Sequence, residues 1–224
     1  MKIGIVSDLH GGQGGILSTL LAWIEYTKVD MILQLGDFGL YDYKFPVPVY
    51  WTYGNREYEP RVSEMSNRYA QLSNCINNNI PMVDLTPYYF GDVTCVSLGG
   101  AEYPKGDGYI VEHNWDYINH IIPSLNEGEV DIFISHETPI SKKEKSIVTG
   151  EVVSTHNKAL RHFVRKLSPK FSFSGHWHIN MEELIPGNKF PIDSYCLGLR
   201  PRDWLIFDTE LYKAGKFPIS RLEM

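Results

Sequence analysis

Asp8 and His10 stand two apart just after the apolar run KIGIV, and the same kind of ending recurs along the chain. MILQLG runs into Asp37, VYWTYG into Asn55, DIFIS into His136, and FSFSG into His176 and His178. Imidazole, carboxylate and amide oxygen are all ligands for divalent cations. One polar residue after a strand is an ordinary turn, but five apolar runs that lead to Asp, Asn and His, with no Lys or Ser substituting for them, point to shared chemistry. The seven N and O donors exceed the four positions of a tetrahedral zinc site. They suit two cations sharing a carboxylate, for which Asp37 is the central candidate. Cations about 3.5–4 Å apart lower the pKa of a bridging water, clamp a phosphoryl oxygen and stabilise the leaving oxygen. The predicted chemistry is metal-assisted hydrolysis. His176 and His178, read as strand residues, would project to one side with Trp177 facing away.

Such a constellation needs elements that bring distant positions to one edge. The β-branched run 2–6 predicts a strand, followed by a glycine-rich loop and a helix over 16–28. Residues 30–36, 47–54, 91–100, 129–135 and 170–175 read as further buried strands, and the tail through SYCLGL and WLIFD as strand-like. Helices are predicted near 60–72, 114–122 and 153–167, the last with Leu160, Phe163, Val164 and Leu167 at helical spacing. Alternation of strands and helices predicts an α/β fold, with ligands gathered beyond the carboxyl ends of the strands. No repeat or linker divides the chain, so residues 1–224 are read as one domain.

The order Asp8-Leu9-His10, Gly36-Asp37, Gly54-Asn55-Arg56-Glu57, His136, Gly175-His176-Trp177-His178 resembles the calcineurin-like metallophosphoesterase superfamily. The motifs span residues 6 to 178, and it is their combination that is specific. The resemblance implies a four-layer α/β/β/α sandwich of two mixed β-sheets flanked by helices. It also implies a ligand set of Asp8, His10, Asp37 and His178 for one metal, and of Asp37, Asn55, His136 and His176 for the other. The two ions are expected to be Mn²⁺, with Fe, Zn, Co or Ni as alternatives. The implied reaction is attack of a metal-bridging hydroxide on a phosphoester.

Two departures refine that expectation. Most members carry His after Gly-Asn, where this chain has Arg56. A guanidinium cannot release a proton near neutral pH, but it can clamp a phosphate oxygen and stabilise transition-state charge. Leaving groups that need little protonation are therefore expected, which favours phosphodiesters and pyrophosphates over monoesters. The branch that cleaves the pyrophosphate of UDP-diacylglucosamine also carries Arg here, yet only 39 residues separate His136 from His176, too few for a lipid-binding insertion beside a helix. Second, GDFGLYDYK lacks the V-D-R-G continuation of Ser/Thr protein phosphatases. Only 16 residues lie between Asp37 and Gly54, so the helix usual in that gap is expected to be very short or absent, leaving a more open site.

Composition sets the outer bounds. Hydrophobic content of 43% and charged content of 21% are those of a globular protein. The net charge of −6 argues against nucleic-acid binding by overall field. No apolar run reaches 18 residues and the N-terminus turns polar early, so a cytoplasmic protein without membrane attachment is expected. Cys75, Cys95 and Cys196 read as reduced core residues. Trp23, Trp51, Trp177 and Trp204 are expected in the core, with Trp115 able to face the site. Glu137 is expected beside the site or exposed rather than as a ligand. His113 and His120 could share a helix face, but at about 10.5 Å apart they are too distant to chelate one ion. His156 and His162 read as surface residues, and Lys142, Lys143, Lys145, Arg161, Arg165 and Lys166 as solvated charge. Gly11, Gly12, Gly14 and Gly15 either permit a tight turn or bring backbone N–H groups to a phosphate. The substrate is expected to be a phosphoester, with nucleotides and nucleic acid included. A monoesterase or protein phosphatase, a nuclease and a non-catalytic metal-binding scaffold stay open. The aromatic stretch 41–53 is a candidate exposed partner patch.

Overall fold

The computed structural model describes residues 1–55, 57, 78–101, 128–145, 150, 152–155 and 157–222. Arg56, Cys75, His113, Trp115, His120, His156 and the helices expected over 60–72 and 114–122 lie outside the described residues.

Two six-stranded sheets stack face to face. The first contains β1 (Lys2–Val6), β2 (Met31–Gln34), β3 (Val49–Trp51), β4 (Asn79–Pro81), β13 (Leu205–Asp208) and β14 (Ile219–Ser220), in the order β14-β13-β1-β2-β3-β4. The second contains β5 (Tyr88–Phe90), β6 (Val93–Leu98), β7 (Ile132–Ser135), β10 (Phe171–Ser174), β11 (Met181–Ile185) and β12 (Ile192–Cys196), in the order β11-β12-β10-β7-β6-β5. In the first, β1–β4 are parallel with β13 antiparallel beside β1; in the second, β12, β10, β7 and β6 are parallel between antiparallel β11 and β5, so the carboxyl ends of the parallel strands share an edge within each sheet. A separate two-stranded ribbon pairs β8 (Lys143–Lys145) with β9 (Val152–Ser154). The helices are α1 (Ile16–Thr27), α2 (Lys158–Leu167) and the short α3 (Thr209–Lys213).

Strand alternation builds the layers. Ile3, Ile5, Leu33 and Leu35 of the first sheet meet Ile132, Ile134, Phe171 and Phe173 of the second. The opposite face of the first sheet, through Val6, Ile32, Val49 and Trp51, packs on Leu20, Trp23 and Ile24 of α1. Phe133 and Ile192 on the outer face of the second pack on Leu160, Phe163 and Val164 of α2. With period 2 in the strands, each sheet buries both faces, giving the α/β/β/α sandwich.

Two expectations about elements change. The helix expected over 153–167 starts at Lys158, because the Asn157 side chain accepts from Leu160 N at 2.9 Å and caps it. Before the cap, Val152–Ser154 is extended and pairs with Lys143–Lys145. The stretch 41–53 is not an exposed patch: its aromatic residues are buried or half-buried, and only Asp42, Lys44 and Pro46 are exposed.

That stretch replaces a helix. β2 and β3 are parallel neighbours, yet residues 35–48 between them contain none. The crossover is covered by rings instead: Phe38 lies 6.0 Å from Phe45 and 5.6 Å from Trp51, and Tyr43 lies 4.8 Å from Phe45. The buried Asn79 amide clamps the loop, with Nδ2 donating to Tyr41 O at 2.9 Å and Tyr43 O at 2.6 Å. Asn79→Asp would face a buried carboxylate with carbonyl oxygens and is expected to cost about 3 kcal/mol. Urea unfolding checks this as a lowered midpoint at constant slope. An unchanged midpoint would show that the clamp contributes nothing.

Candidate metal centre

Five of the seven candidate ligands occupy the left-handed backbone region: Asp8 (φ 55°), His10 (φ 45°), Asp37 (φ 53°), His176 (φ 69°) and His178 (φ 55°). For residues with a Cβ, such strain costs about 1–3 kcal/mol each and gathers at functional sites. His176 and His178 are therefore not on a strand. β10 ends at Ser174, and the pair sits in the loop beyond it, where strand alternation does not govern direction.

The loops bring two groups together. Asp8, His10 and His178 form one and Asp8, Asp37 and His136 the other, each with ligand atoms within 4.8 Å of one another. In the first, Asp8 Oδ1 lies 3.2 Å from His178 Nε2, and the Nε2 atoms of His10 and His178 face each other at 3.2 Å. In the second, His136 Nε2 lies 3.0 Å from Asn55 Oδ1 and 3.6 Å from Asp37 Oδ1. The other carboxylate oxygen of Asp37 turns to the first group, 3.6 Å from His10 Nδ1. His176 belongs to neither group but sets its ring beside His136, with centroids 4.9 Å apart. Asp8 is thus common to both groups, while Asp37 faces both through separate oxygens.

The protonation states suit a cation. His136 is fully buried, and burial pulls its imidazole down to about 3, against the opposing pull of Asp8. Its Nδ1 lies 2.9 Å from Leu35 O, which can only accept, so the neutral ring carries its proton there. Nε2 then presents a lone pair to Asn55 Oδ1 and Asp37 Oδ1, an arrangement of acceptors that a cation resolves. Burial works to raise Asp8, but His178, His136 and the Ser7 hydroxyl together hold its carboxyl well below the usual range. Ser7 Oγ donates to Asp8 Oδ2 at 2.5 Å, and His176 N to the same oxygen at 3.1 Å. Asp8 Oδ1 is buried with no hydrogen bond among the described residues. An anionic oxygen kept bare next to imidazole nitrogens fits a divalent cation.

Residues to which the sequence assigned no role hold the loops. Glu57 is 2% exposed, and its carboxylate accepts from Asp37 N (3.1 Å), Phe38 N (2.6 Å), Gly54 N (2.5 Å) and Tyr41 Oη (3.0 Å). It ties the Asp37 turn to the Asn55 turn, and burial pushes its carboxyl up. Gln34, the one polar residue of β2, closes the Gly36 turn through Gly36 N to Oε1 and Nε2 to Gly36 O. A glutamine inside MILQLG is the visible signal for it. Tyr53 donates its hydroxyl to Asp84, whose Oδ1 accepts from Gly99 N, and burial pushes the Asp84 carboxyl up to about 6. This contact staples the end of β3 to the end of β6 beside Asn55.

Glycines before the ligands let the loops touch. A Cβ on Gly54 would come well under 3.0 Å from Asp37 Oδ1, and one on Gly175 would run into Ser7 Oγ. Cys95 and Cys196 are buried free thiols, and Trp23, Trp51 and Trp204 are in the core as expected. Trp177, expected in the core, is only half-buried, and Glu137, expected beside the site or exposed, is buried next to His136. Arg161 is not simply solvated, since it grips Glu183 through two bonds of 2.9 and 2.8 Å. No helix among the described residues is long and apolar enough to cross a membrane.

The family model for calcineurin-like phosphoesterases matches residues 1–180. No curated protein matches the chain by sequence. One solved crystal structure superposes with a TM-score of 0.71 at 10% identity over 99% of both chains. TT1561 of Thermus thermophilus superposes at 0.62, with 13% identity over 99% of both. The phosphopantetheinyl hydrolase of Mycobacterium tuberculosis superposes at 0.55, with 10% identity over 99% of this chain and 95% of that one. At these identities the likeness is one of fold.

Proposed function

The chain belongs to the calcineurin-like phosphoesterase family, and on that premise we propose that it hydrolyses phosphodiester or pyrophosphate bonds with two divalent cations, Mn²⁺ by preference. The observation that carries this reading is Asp37, whose two oxygens each face a different histidine, His10 and His136, as a shared ligand must. Asp8, His10, Asp37 and His178 would hold one ion, and Asp37, Asn55, His136 and His176 the other. When bound, the ions would lower the pKa of a water and draw charge from the phosphoryl oxygens.

The chain's own groups prepare that site. Asp8 stays anionic, oriented by Ser7, and His136 stays neutral with its proton directed at Leu35 O. Glu57 fixes the Asp37 and Gly54 amides so that the carboxylate and Asn55 enter together. Arg56, next to Asn55 in sequence, is assigned to clamp a phosphate oxygen. Because it cannot give up a proton, poor leaving groups gain little from it. The buried free thiols support a reducing, cytoplasmic setting.

The test compares Mn²⁺-dependent hydrolysis of bis-p-nitrophenyl phosphate and p-nitrophenyl phosphate at matched enzyme concentration. The diester is expected to turn over at least about tenfold faster, about 1.4 kcal/mol in activation free energy. Faster monoester turnover would overturn the diesterase assignment while leaving the metal centre standing. No turnover together with no metal uptake would overturn the metal centre and leave a scaffold without metal chemistry.

A further inference from the structure

His176 and His178 lie in the left-handed region on either side of Trp177, whose N–H folds back on Gly175 O at 2.9 Å. Two strained residues in so short an excursion relax unless something outside the loop holds them. The residue between them provides that hold. Trp177 Nε1 donates to Glu137 Oε1 at 2.7 Å, and the ring packs against Ile140, Ile179, Met181 and Cys196. Glu137 directly follows His136 and is only 3% exposed. Its Oε1 also accepts from Thr138 N at 2.8 Å, and Ser135 Oγ closes on Glu137 O at 2.7 Å, so the acceptor is itself fixed. A second tie, Gly175 N to His136 O at 3.0 Å, runs parallel through the backbone. Hence one charge-assisted side-chain bond joins the loop of two histidines to the loop of the third.

We propose that Trp177 and Glu137 are positioning residues that hold His176 and His178 in register with His136 for cation binding. The proposal rests on the metal centre described above and deepens it. Partners that orient ligands without touching the metal typically govern affinity by about 10- to 100-fold.

The experiment is calorimetric titration of the chelator-stripped full chain with Mn²⁺, alongside the melting temperature of each metal-free variant. Trp177→Phe removes the donor and keeps a ring, Glu137→Leu removes the acceptor, and Glu137→Gln keeps an acceptor oxygen. Trp177→Phe and Glu137→Leu are each expected to weaken Mn²⁺ binding about tenfold. Glu137→Gln should stay within about threefold of wild type, and the double variant should be no weaker than either single one. A merely structural bond would lower melting temperature while leaving Mn²⁺ affinity of the folded variants at the wild-type value, and that result would overturn the proposal. If Trp177→Phe does not fold, the Glu137→Leu and Glu137→Gln pair decides alone. A wild-type protein that binds no Mn²⁺ would overturn the metal centre itself, an outcome distinct from equal binding by wild type and variants.

Discussion

Asp37→Asn is expected to reduce Mn²⁺-dependent turnover on the order of 10³-fold, the scale on which a single electrostatic group in a dry site acts. The substitution keeps the shape of the side chain and removes the charge of the one ligand that both cations would share. Asp37 is 3% exposed and presents Oδ1 to His136 and Oδ2 to His10, so a neutral amide weakens both halves of the centre together. Its backbone N–H still bonds Glu57, and the turn at φ 53° suits Asn, which tolerates the left-handed region well. The metal-free protein should therefore melt within a few degrees of wild type. Turnover retained within about tenfold would sink the shared-carboxylate reading. Lost turnover with a collapsed melting temperature would show instead that Asp37 supports the fold.

Gly54→Ala is the second large effect, and it leaves every candidate ligand in place. The new Cβ would crowd both Asp37 Oδ1 and Asp37 N to well under 3.0 Å, far inside van der Waals contact. The second of these is backbone that Glu57 already holds, so it cannot swing away as a surface side chain would. The Asp37 carboxylate or the Asn55 turn must move, and metal sites tolerate little displacement of their ligands. Mn²⁺ affinity is expected to fall at least about 100-fold, at the upper end of what loss of ligand support costs. Calorimetric titration beside circular dichroism of the metal-free variant checks it. Wild-type affinity in a folded Gly54→Ala protein would mean that the crowding is relieved elsewhere.

The strand ends are legible in the sequence because a parallel strand buried on both faces is a short apolar run, and the first polar residue after it is easy to see. Asp8, Asp37, Asn55, His136 and the final histidine pair all follow such runs. The α1 and α2 faces are legible through helical spacing, although Asn157 sets the start of α2 at Lys158. The strands β5 and β11 leave no such mark, because they are short and carry solvent-facing residues that break the apolar run. The ribbon of β8 and β9 is hidden for another reason: KEK carries no apolar residue at all. The direction of His176 and His178 lies beyond sequence reading, since it depends on positive φ angles that ordinarily mark glycine. Glu57 and Trp177 are visible as letters, but not as ties. Their roles arise from backbone amides and a carboxylate that only the folded chain brings within reach.

The place of β1 has a consequence for how the protein is made. This strand sits inside its sheet, parallel to β2 on one side and antiparallel to β13 on the other, with Lys2 opposite Asp208. A chain emerging from the ribosome therefore holds an open edge on β1 until residues 205–208 appear. Asp8 and His176 likewise meet across 168 positions of sequence. Contacts so distant along the chain make folding slow and leave an unpaired edge exposed meanwhile. Cations have no assembled site to enter until residues 8 and 176–178 have come together, so the centre follows the fold rather than nucleating it.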